Sequence, residues 1–542
     1  MIKISVRENS FFEGDHKIAS AFPKLFHGDV VGVKSLSELE SFVLCESSTR
    51  NTMLAGVLVV GKTYGRAGRR LLYRCIPDNS LLPSFLVPYD LPASFQKNYK
   101  NKYIVFRFDH WDDDHPRGEI KHTLGDVDSN EAFEEYQLWR RGLHISLSNF
   151  TTVTRQKIKS KDVVDSKDTL TESSYINHIL EKNREIEDLR SFHNNIFTID
   201  PESCTDFDDA FSVTFEDRFA TVNVYIANVY LWLETYALWE FVSDRVSTIY
   251  LPERKVPMLP PLLSDTLCSL KEGHDRFAFM MSIKYDMDSK QQVGEPVYKN
   301  VLIRINKNYV YEDAKGLRKN AAYRWLHEVA TTEVATTEDS HEVVSFWMIK
   351  MNAECAKYLS ARGKGGIFRG SSESSSRRHR VPLHLVEKYG KIQYENHAVP
   401  HAQLGLDAYV HITSPIRRLV DILNQILFMT DVSTLCQAFF DKWVNKLDHI
   451  NRATKDIRRV QMDCELLALC ARGYDRELVG VVFDKDAEEY TVYVEELKLV
   501  TRIKTYETLE EGSRVYLKLY VFNDEHKLCR KVKLGLIHTA VL

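Results

Sequence analysis

Four aspartates, Asp200, Asp206, Asp208 and Asp209, fall within ten positions of the stretch TIDPESCTDFDDAF, which runs from Thr198 to Phe211. A solvated acidic loop is the simplest reading of such a cluster. A calcium loop of the EF-hand kind is excluded. Counted from Asp206, it needs glycine at the sixth position and glutamate at the twelfth, where this chain has Phe211 and Asp217. The chemistry that remains is a magnesium or manganese centre, because hard divalent ions take carboxylate oxygens and share ligands with a substrate phosphate. Phosphodiester cleavage by two ions needs several carboxylates close together. Left without a cation, four such charges would repel one another.

A second stretch, YVHITSPIRRLVDILNQIL from Tyr409 to Leu427, predicts a helix capped by Thr413 or Ser414, with Pro415 in its first turn. Ile416, Leu419, Val420, Leu423, Ile426 and Leu427 then recur at helical spacing. Arg417 and Arg418 would sit in the first turn, where an anion is needed to compensate them, which makes this a natural phosphate site. The plainer alternative is an ion pair between Arg417 and Asp421. A third stretch, RGKGGIFRGSSESSSRRHR from Arg362 to Arg380, carries six Arg or Lys against one Glu. It fits either contact with RNA phosphates, centred on Arg369, or a phosphorylatable serine loop.

These groups must be held by a large chain. At 542 residues, with 44% hydrophobic and 27% charged residues, it has the composition of a multidomain soluble protein. A formal net charge of −4 means that any nucleic-acid surface must be local. Nine scattered cysteines without a CxxC pair favour a reducing compartment and argue against a zinc ribbon. An intracellular, cytoplasmic setting is expected, with nucleus or organelle as alternatives. No apolar run approaches a membrane span, and the first residues, MIKISVRENSFFEGD, lack a signal-peptide core.

Residues 1–150 read as short strands and Gly/Arg turns, as in MLAGVLVVGKTYGRAGRRLLYRCI and NKYIVFRFDHW, and fit OB-type barrels. A polar helix is expected from Ser173 to Arg190. An antiparallel hairpin (AFSVTF, ATVNVYIANV) should follow the acids. VATTEVATTE, Val329 to Glu338, reads as a loop. A long helix is predicted through VNKLDHINRATKDIRRVQMDCELLALC, and β structure returns from Glu477.

Together, TIDPESCTDFDD and YVHITSPIRRLVD resemble the two signature motifs of the ribonuclease II (RNB) family. The segment STIYLPERKVPMLPPLLSDTLCSLKEGHDRFAF (Ser247 to Phe279), with YVYEDA and HAQLGL, is similar to what lies between them in that family. FHGDVVGV and FDHWDDDHPRGEIKHTLGDV resemble the ends of the cold-shock domains of the eukaryotic, exosome-type branch, without its N-terminal endonuclease domain. The resemblance implies an α+β RNB core flanked by OB-type β-barrels. The expected parts are an abbreviated first cold-shock region at 1–45, a second at 46–150, an RNB domain at 151–475 and an S1-like domain at 476–542. It further implies a magnesium-dependent 3′→5′ exoribonuclease, with manganese as a substitute, degrading single-stranded RNA processively to nucleoside 5′-monophosphates. A membrane is not among the expected partners; an RNA-decay complex or a helicase is.

By motif position, Asp200, Asp206, Asp208 and Asp209 are the implied metal residues. Asp208 and Arg417 are the implied catalytic residues. Tyr250, Tyr311, Arg369 and Arg418 are the implied RNA contacts. The chain departs from the family pattern at Tyr225 and Asn228, where His and Asp are usual, and at Leu419, Gln425 and Ile426. Those departures support the rival expectation, an inactive RNB-fold RNA-binding or scaffold protein.

Overall fold

The computed structural model describes residues 2–7, 10–13, 15–20, 24–34, 42–91, 99–160, 172–191, 195–333, 339–363, 365–370, 392–402, 404–474, 476–486, 489–497 and 499–539. Three five-stranded sheets flank a central seven-stranded one. The first sheet orders its strands β3-β2-β1-β4-β5, from β1 (Ile2–Arg7), β2 (Ser10–Glu13), β3 (His16–Ser20), β4 (Asp29–Val33) and β5 (Val43–Ser47). Its last strand therefore ends two residues beyond the expected boundary at 45.

The second barrel orders β10-β9-β6-β7-β8, from β6 (Met53–Ala67), β7 (Arg70–Pro77), β8 (Phe85–Tyr89), β9 (Lys102–Phe108) and β10 (Gly118–Asp126). β9 is buried on both faces. Ile104 and Phe106 fill the barrel, while Tyr103 stacks on Tyr136 of the helix Asn130–Arg140 with ring centroids 4.2 Å apart. Phe26 meets Phe108 edge-on at 5.3 Å and stacks on Trp111 at 4.9 Å, and Arg50 lies over Phe26 and Phe108, which ties the first two barrels together.

The central sheet has the order β11-β18-β17-β14-β13-β12-β19. Its strands are β11 (Glu187–Asp188), β12 (Phe197–Asp200), β13 (Asp209–Glu216), β14 (Phe219–Ala227), β17 (Asp275–Asp286), β18 (Val297–Arg304) and β19 (Lys307–Val310); the small hairpin β15 (Ile249–Tyr250) and β16 (Lys255–Val256) precedes β17. β13 and β14 form the expected hairpin, in register from Asp209↔Ile226 to Glu216↔Phe219, with Asp217 in its turn at φ +50°. One face of this sheet packs on the helices Ala321–Glu333 and Ser340–Ala361, the other on the helices Val229–Thr235 and Leu419–Ile426. β20 (Phe368–Gly370) and β21 (Gln393–Glu395) make a small ribbon.

Leu447–Ala471, the 25-residue helix, leads to the last barrel, ordered β24-β23-β22-β25-β26 from β22 (Leu478–Asp486), β23 (Glu489–Val494), β24 (Leu499–Lys504), β25 (Arg514–Asn523) and β26 (Arg530–Thr539). Among the described residues, no helix is long and apolar enough to cross a membrane. The architecture is the expected α+β core with OB-type barrels around it.

Two expectations change. The helix expected to reach Arg190 spans only Glu172–Lys182, because the Asn183 side chain donates to the Ile179 carbonyl at its end and the chain turns to pair β11 with β18. Val329 to Glu333 are not loop. They complete the helix Ala321–Glu333, where burial of Val329 and Ala330 outweighs the polar repeat; residues 334–338 lie outside the described residues.

Candidate active site

β12 ends at Asp200 and β13 begins at Asp209, so the loop between them brings all four aspartates to one end of adjacent strands. All four are buried, Asp208 to 3% exposure. Asp208 Oδ2 accepts from Arg417 Nε at 3.1 Å, and Oδ1 accepts from the Ile416 N–H at 2.9 Å. The Ala227 N–H donates to the Asp208 carbonyl at 2.8 Å. Asp206 Oδ2 accepts from the Tyr250 hydroxyl at 2.8 Å, and its Oδ1 accepts from Lys255 Nζ at 3.2 Å. Tyr250 and Lys255 reach Asp206 together because they face each other across the β15–β16 hairpin. Lys255 is also bound to Asp265 at 2.7 Å and Thr205 at 2.8 Å.

Asp200 and Asp209 differ from these two: Oδ2 of each is buried without a hydrogen-bond partner. Burial pushes Asp200 up to about 6, against the opposing pull of Thr198 and Arg417. Burial pushes Asp208 up to about 7, with Arg417 pulling the other way. Asp209 is held well above the ordinary carboxylate range by burial and by the charges of Asp200 and Asp208. Orphaned carboxylate oxygens in a dry site are costly unless a cation joins them. The donor set fits a hard divalent ion at Asp200 and Asp209. Among the described residues no three acidic, histidine or cysteine side chains form a ready-made cage. Water and a substrate phosphate would complete the shell, which suits magnesium. Cys204 lies alongside, its Sγ 3.8 Å from Asp200 Oδ1.

The arginine segment corrects the expected helix boundary. The helix starts at Leu419, and residues 415–418 form a turn in which the Arg417 and Arg418 N–H groups both donate to the Ser414 carbonyl. The Arg417 carbonyl is withheld from a helix because the Thr248 N–H (2.9 Å) and the Ser247 hydroxyl (2.7 Å) take it. The pairing also differs by one residue. Arg418, not Arg417, is bound to Asp421, with Nε 2.9 Å from Oδ2, and Arg417 belongs to Asp208. Arg417 keeps 46% of its side chain exposed, enough to meet a phosphate. Arg418 pairs with Asp421 and keeps about a quarter of its side chain exposed.

Tyr250 is 39% exposed, with its ring open to solvent beside the carboxylates. Tyr311 follows β19, gives its N–H to the Asp200 carbonyl at 3.1 Å, and stacks on His341 with centroids 3.7 Å apart. Arg369, expected as an RNA contact, is 2% exposed on β20, with Nη1 3.4 Å from His411 Nε2. The basic serine loop at 371–380 lies outside the described residues. Lys255, Asp265, Ser247 and His341 escaped the sequence reading. Only Lys255 left a signal there, as a cation five residues after Tyr250 in YLPERK.

The positions of family departure lie behind the site and are buried, with Gln425 Oε1 left without a hydrogen-bond partner. The Tyr225 hydroxyl meets Ser212 at 3.0 Å. Asn228 caps the helix Val229–Thr235 by accepting from the Leu231 N–H, and donates to Asn300 at 2.8 Å. Leu419 is core, and Gln425 Nε2 donates to the Ala227 carbonyl at 3.1 Å.

Residues 186–322 and 372–430 match the RNB domain family. The chain is 31% identical over 206 residues to DIS3-like exonuclease 2 of Schizosaccharomyces pombe, a match covering 38% of this chain and 20% of that longer protein. The fold is similar to the apo form of Mycoplasma genitalium RNase R, at a TM-score of 0.67 and 17% identity over 94% of this chain and 95% of that one. It is also similar to yeast Ssd1, a pseudonuclease, at a TM-score of 0.57 and 14% identity over 90% of this chain and 70% of that one. The clustered aspartates and Arg417 lie within the segments that match the RNB domain.

Proposed function

We propose that this protein is a 3′→5′ exoribonuclease that hydrolyses single-stranded RNA processively to nucleoside 5′-monophosphates. The observation that carries this reading is the pair of buried, unpartnered oxygens on Asp200 and Asp209 beside the Asp208–Arg417 pair. Asp200 and Asp209 would hold magnesium, which would polarise the scissile phosphate and activate water. Asp208, lifted toward neutral by burial, is placed to take a proton from the attacking water. Arg417 would neutralise charge building on the phosphate oxygens as the bond to the preceding 3′-oxygen breaks. Tyr250 and Tyr311 offer ring faces to the terminal bases, which suits an enzyme that must accept any base. The proposed setting is the cytoplasm, supported by nine cysteines that form no disulfide. An RNA-decay complex or helicase is the partner class proposed with it.

The test is a 5′-labelled RNA with a single-stranded 3′ tail, incubated with magnesium or EDTA, using wild type and Asp208→Asn. A ladder shortening from the 3′ end, present only with magnesium and lost in the variant, is expected. A gel shift without shortening would instead favour an inactive RNA binder. That second reading has its own support in the Tyr225, Asn228 and Gln425 departures and in the likeness to the fold of a pseudonuclease.

A further inference from the structure

Asp206 differs from its neighbours in the acidic cluster, and the reason is Lys255. Asp200 and Asp209 each keep one buried oxygen without a hydrogen-bond partner. Both Asp206 oxygens carry a donor, Lys255 Nζ at 3.2 Å and the Tyr250 hydroxyl at 2.8 Å. The lysine has a seat of its own outside the cluster. Its shortest bond, 2.7 Å, goes to Asp265 in the short helical turn Leu262–Leu267, and the Ser264 hydroxyl donates to the same Asp265 oxygen at 3.0 Å. A further bond of 2.8 Å goes to the Thr205 hydroxyl. Buried Ser269 brackets Asp206: its hydroxyl donates to the Thr205 carbonyl at 2.9 Å and accepts from the Phe207 N–H at 3.0 Å. The backbone on both sides of Asp206 is thus fixed, while the register Tyr250↔Lys255 of the β15–β16 hairpin aims the lysine at it. The Lys255 side chain is 22% exposed and that of Asp206 6%, so salt and water screen the pair only weakly.

This pairing bears on how many ions the centre can hold. A two-ion phosphodiesterase keeps its metals about 3.5–4 Å apart on a shared carboxylate set. With Asp208 engaged by Arg417 and the Ile416 N–H, Asp206 is the acid left to serve a second ion. An ion at about 2.1 Å from Asp206 Oδ1 would lie within about 5 Å of the Lys255 ammonium. It would have to bear that repulsion or draw Asp206 away from a lysine that two other groups hold in place.

We infer that Lys255 is a positioning residue that stands where a second cation would: its ammonium holds Asp206 and limits the centre to a single divalent ion, at Asp200 and Asp209. The inference rests on the nuclease reading above. In that chemistry the second positive charge at the scissile phosphate is that of Arg417, whose side chain is half-exposed, and not that of a second metal.

The test counts ions without turnover. Manganese is titrated into the metal-free protein, alone and with a nucleoside 5′-monophosphate whose phosphate could complete a second shell, and bound ion is read by electron paramagnetic resonance. Ions about 4 Å apart couple their spins, which separates a pair in the centre from an adventitious ion on the surface. Wild type should bind one uncoupled ion in the centre, lost in Asp209→Asn. Lys255→Met and Lys255→Gln should admit a second ion and show the coupled signal. Lys255→Arg, which keeps the charge, should not. A coupled pair in wild type would overturn the assignment whatever the variants do, and it would leave the nuclease reading standing wherever RNA is still shortened. A single uncoupled ion in both neutral variants, each shown to be folded by circular dichroism, would overturn it as well. One ion in wild type and a pair in the neutral variants, with RNA never shortened, would keep the role of Lys255 and overturn the nuclease. Failure of wild type to bind manganese at all would overturn both.

Discussion

Replacing Asp208 by asparagine should separate stability from activity, because the structure makes this carboxylate costly. Burial raises it from the ordinary 3.8 to about 7, which corresponds to about 4 kcal/mol of preference for the neutral form. The sign follows from linkage. As pH rises through 3.8 the unfolded chain releases this proton while the folded chain keeps it, so stability falls until about pH 7 and is level above. Asparagine is neutral at every pH and still accepts from the Ile416 N–H, but it gives up the ion pair with half-exposed Arg417. The net expectation is a stabilisation of roughly 1–2 kcal/mol near pH 8 without metal, vanishing near pH 4. Thermal unfolding followed by circular dichroism should show a rise of about 2–4 °C at the higher pH. Hydrolysis of labelled RNA should fall by roughly 10²–10⁴-fold. A variant destabilised at pH 8 without metal, or one within about 10-fold of wild-type activity, would refute this account of Asp208.

Three further outcomes follow from neighbouring groups. Because Asp200 and Asp209 hold their protons well above the ordinary range, magnesium must displace them. Its thermal stabilisation should therefore grow as pH rises through about 6 and continue to grow above it, and disappear in Asp209→Asn, as a melting series will show. Tyr250→Phe removes the hydroxyl donated to Asp206 but keeps the ring, so KM for single-stranded RNA should change less than about 3-fold, whereas Tyr250→Ala should raise it about 10–100-fold. Gln425→Leu leaves the buried Ala227 carbonyl without its donor and should cost about 1–3 kcal/mol of stability in denaturant unfolding.

What was legible in the sequence was local. The acidic motif is a run of neighbours in the chain, and the β13–β14 hairpin announces itself through alternation and a polar turn. What was illegible depended on partners far along the chain. The Ile416 N–H and Arg417 reach Asp208 across more than two hundred residues, and no spacing rule reports that. The alternative ion pair of Asp421 falls one position later, on Arg418 rather than Arg417, and the segment 246–248 captures the Arg417 carbonyl and delays the helix to Leu419. Arg369 looked available in a basic run, yet β20 places it beside His411 in the core. Lys255 was quoted within a motif, but its link to Asp206 needs the register of a two-residue hairpin.

The departures behind the site bear on whether chemistry survives. Gln425 Nε2 donates to the Ala227 carbonyl, and the Ala227 N–H donates to the Asp208 carbonyl, so the changed residue supports the Asp208 backbone through Ala227. Asn228 both caps its helix and ties it to Asn300 on β18. A supporting shell that had merely decayed would leave cavities and unmet donors at these positions. Here Tyr225, Asn228 and the Gln425 Nε2 each have a hydrogen-bond partner and Leu419 is fully buried, while Gln425 Oε1 is left buried without one. The acids in front tell the same story from the opposite side. Two unpartnered carboxylate oxygens in a dry loop lower stability unless a cation engages them, and one substitution to asparagine at Asp209 would relieve much of that strain. This arrangement therefore favours the proposed metal-dependent hydrolase over a fold kept only to bind RNA.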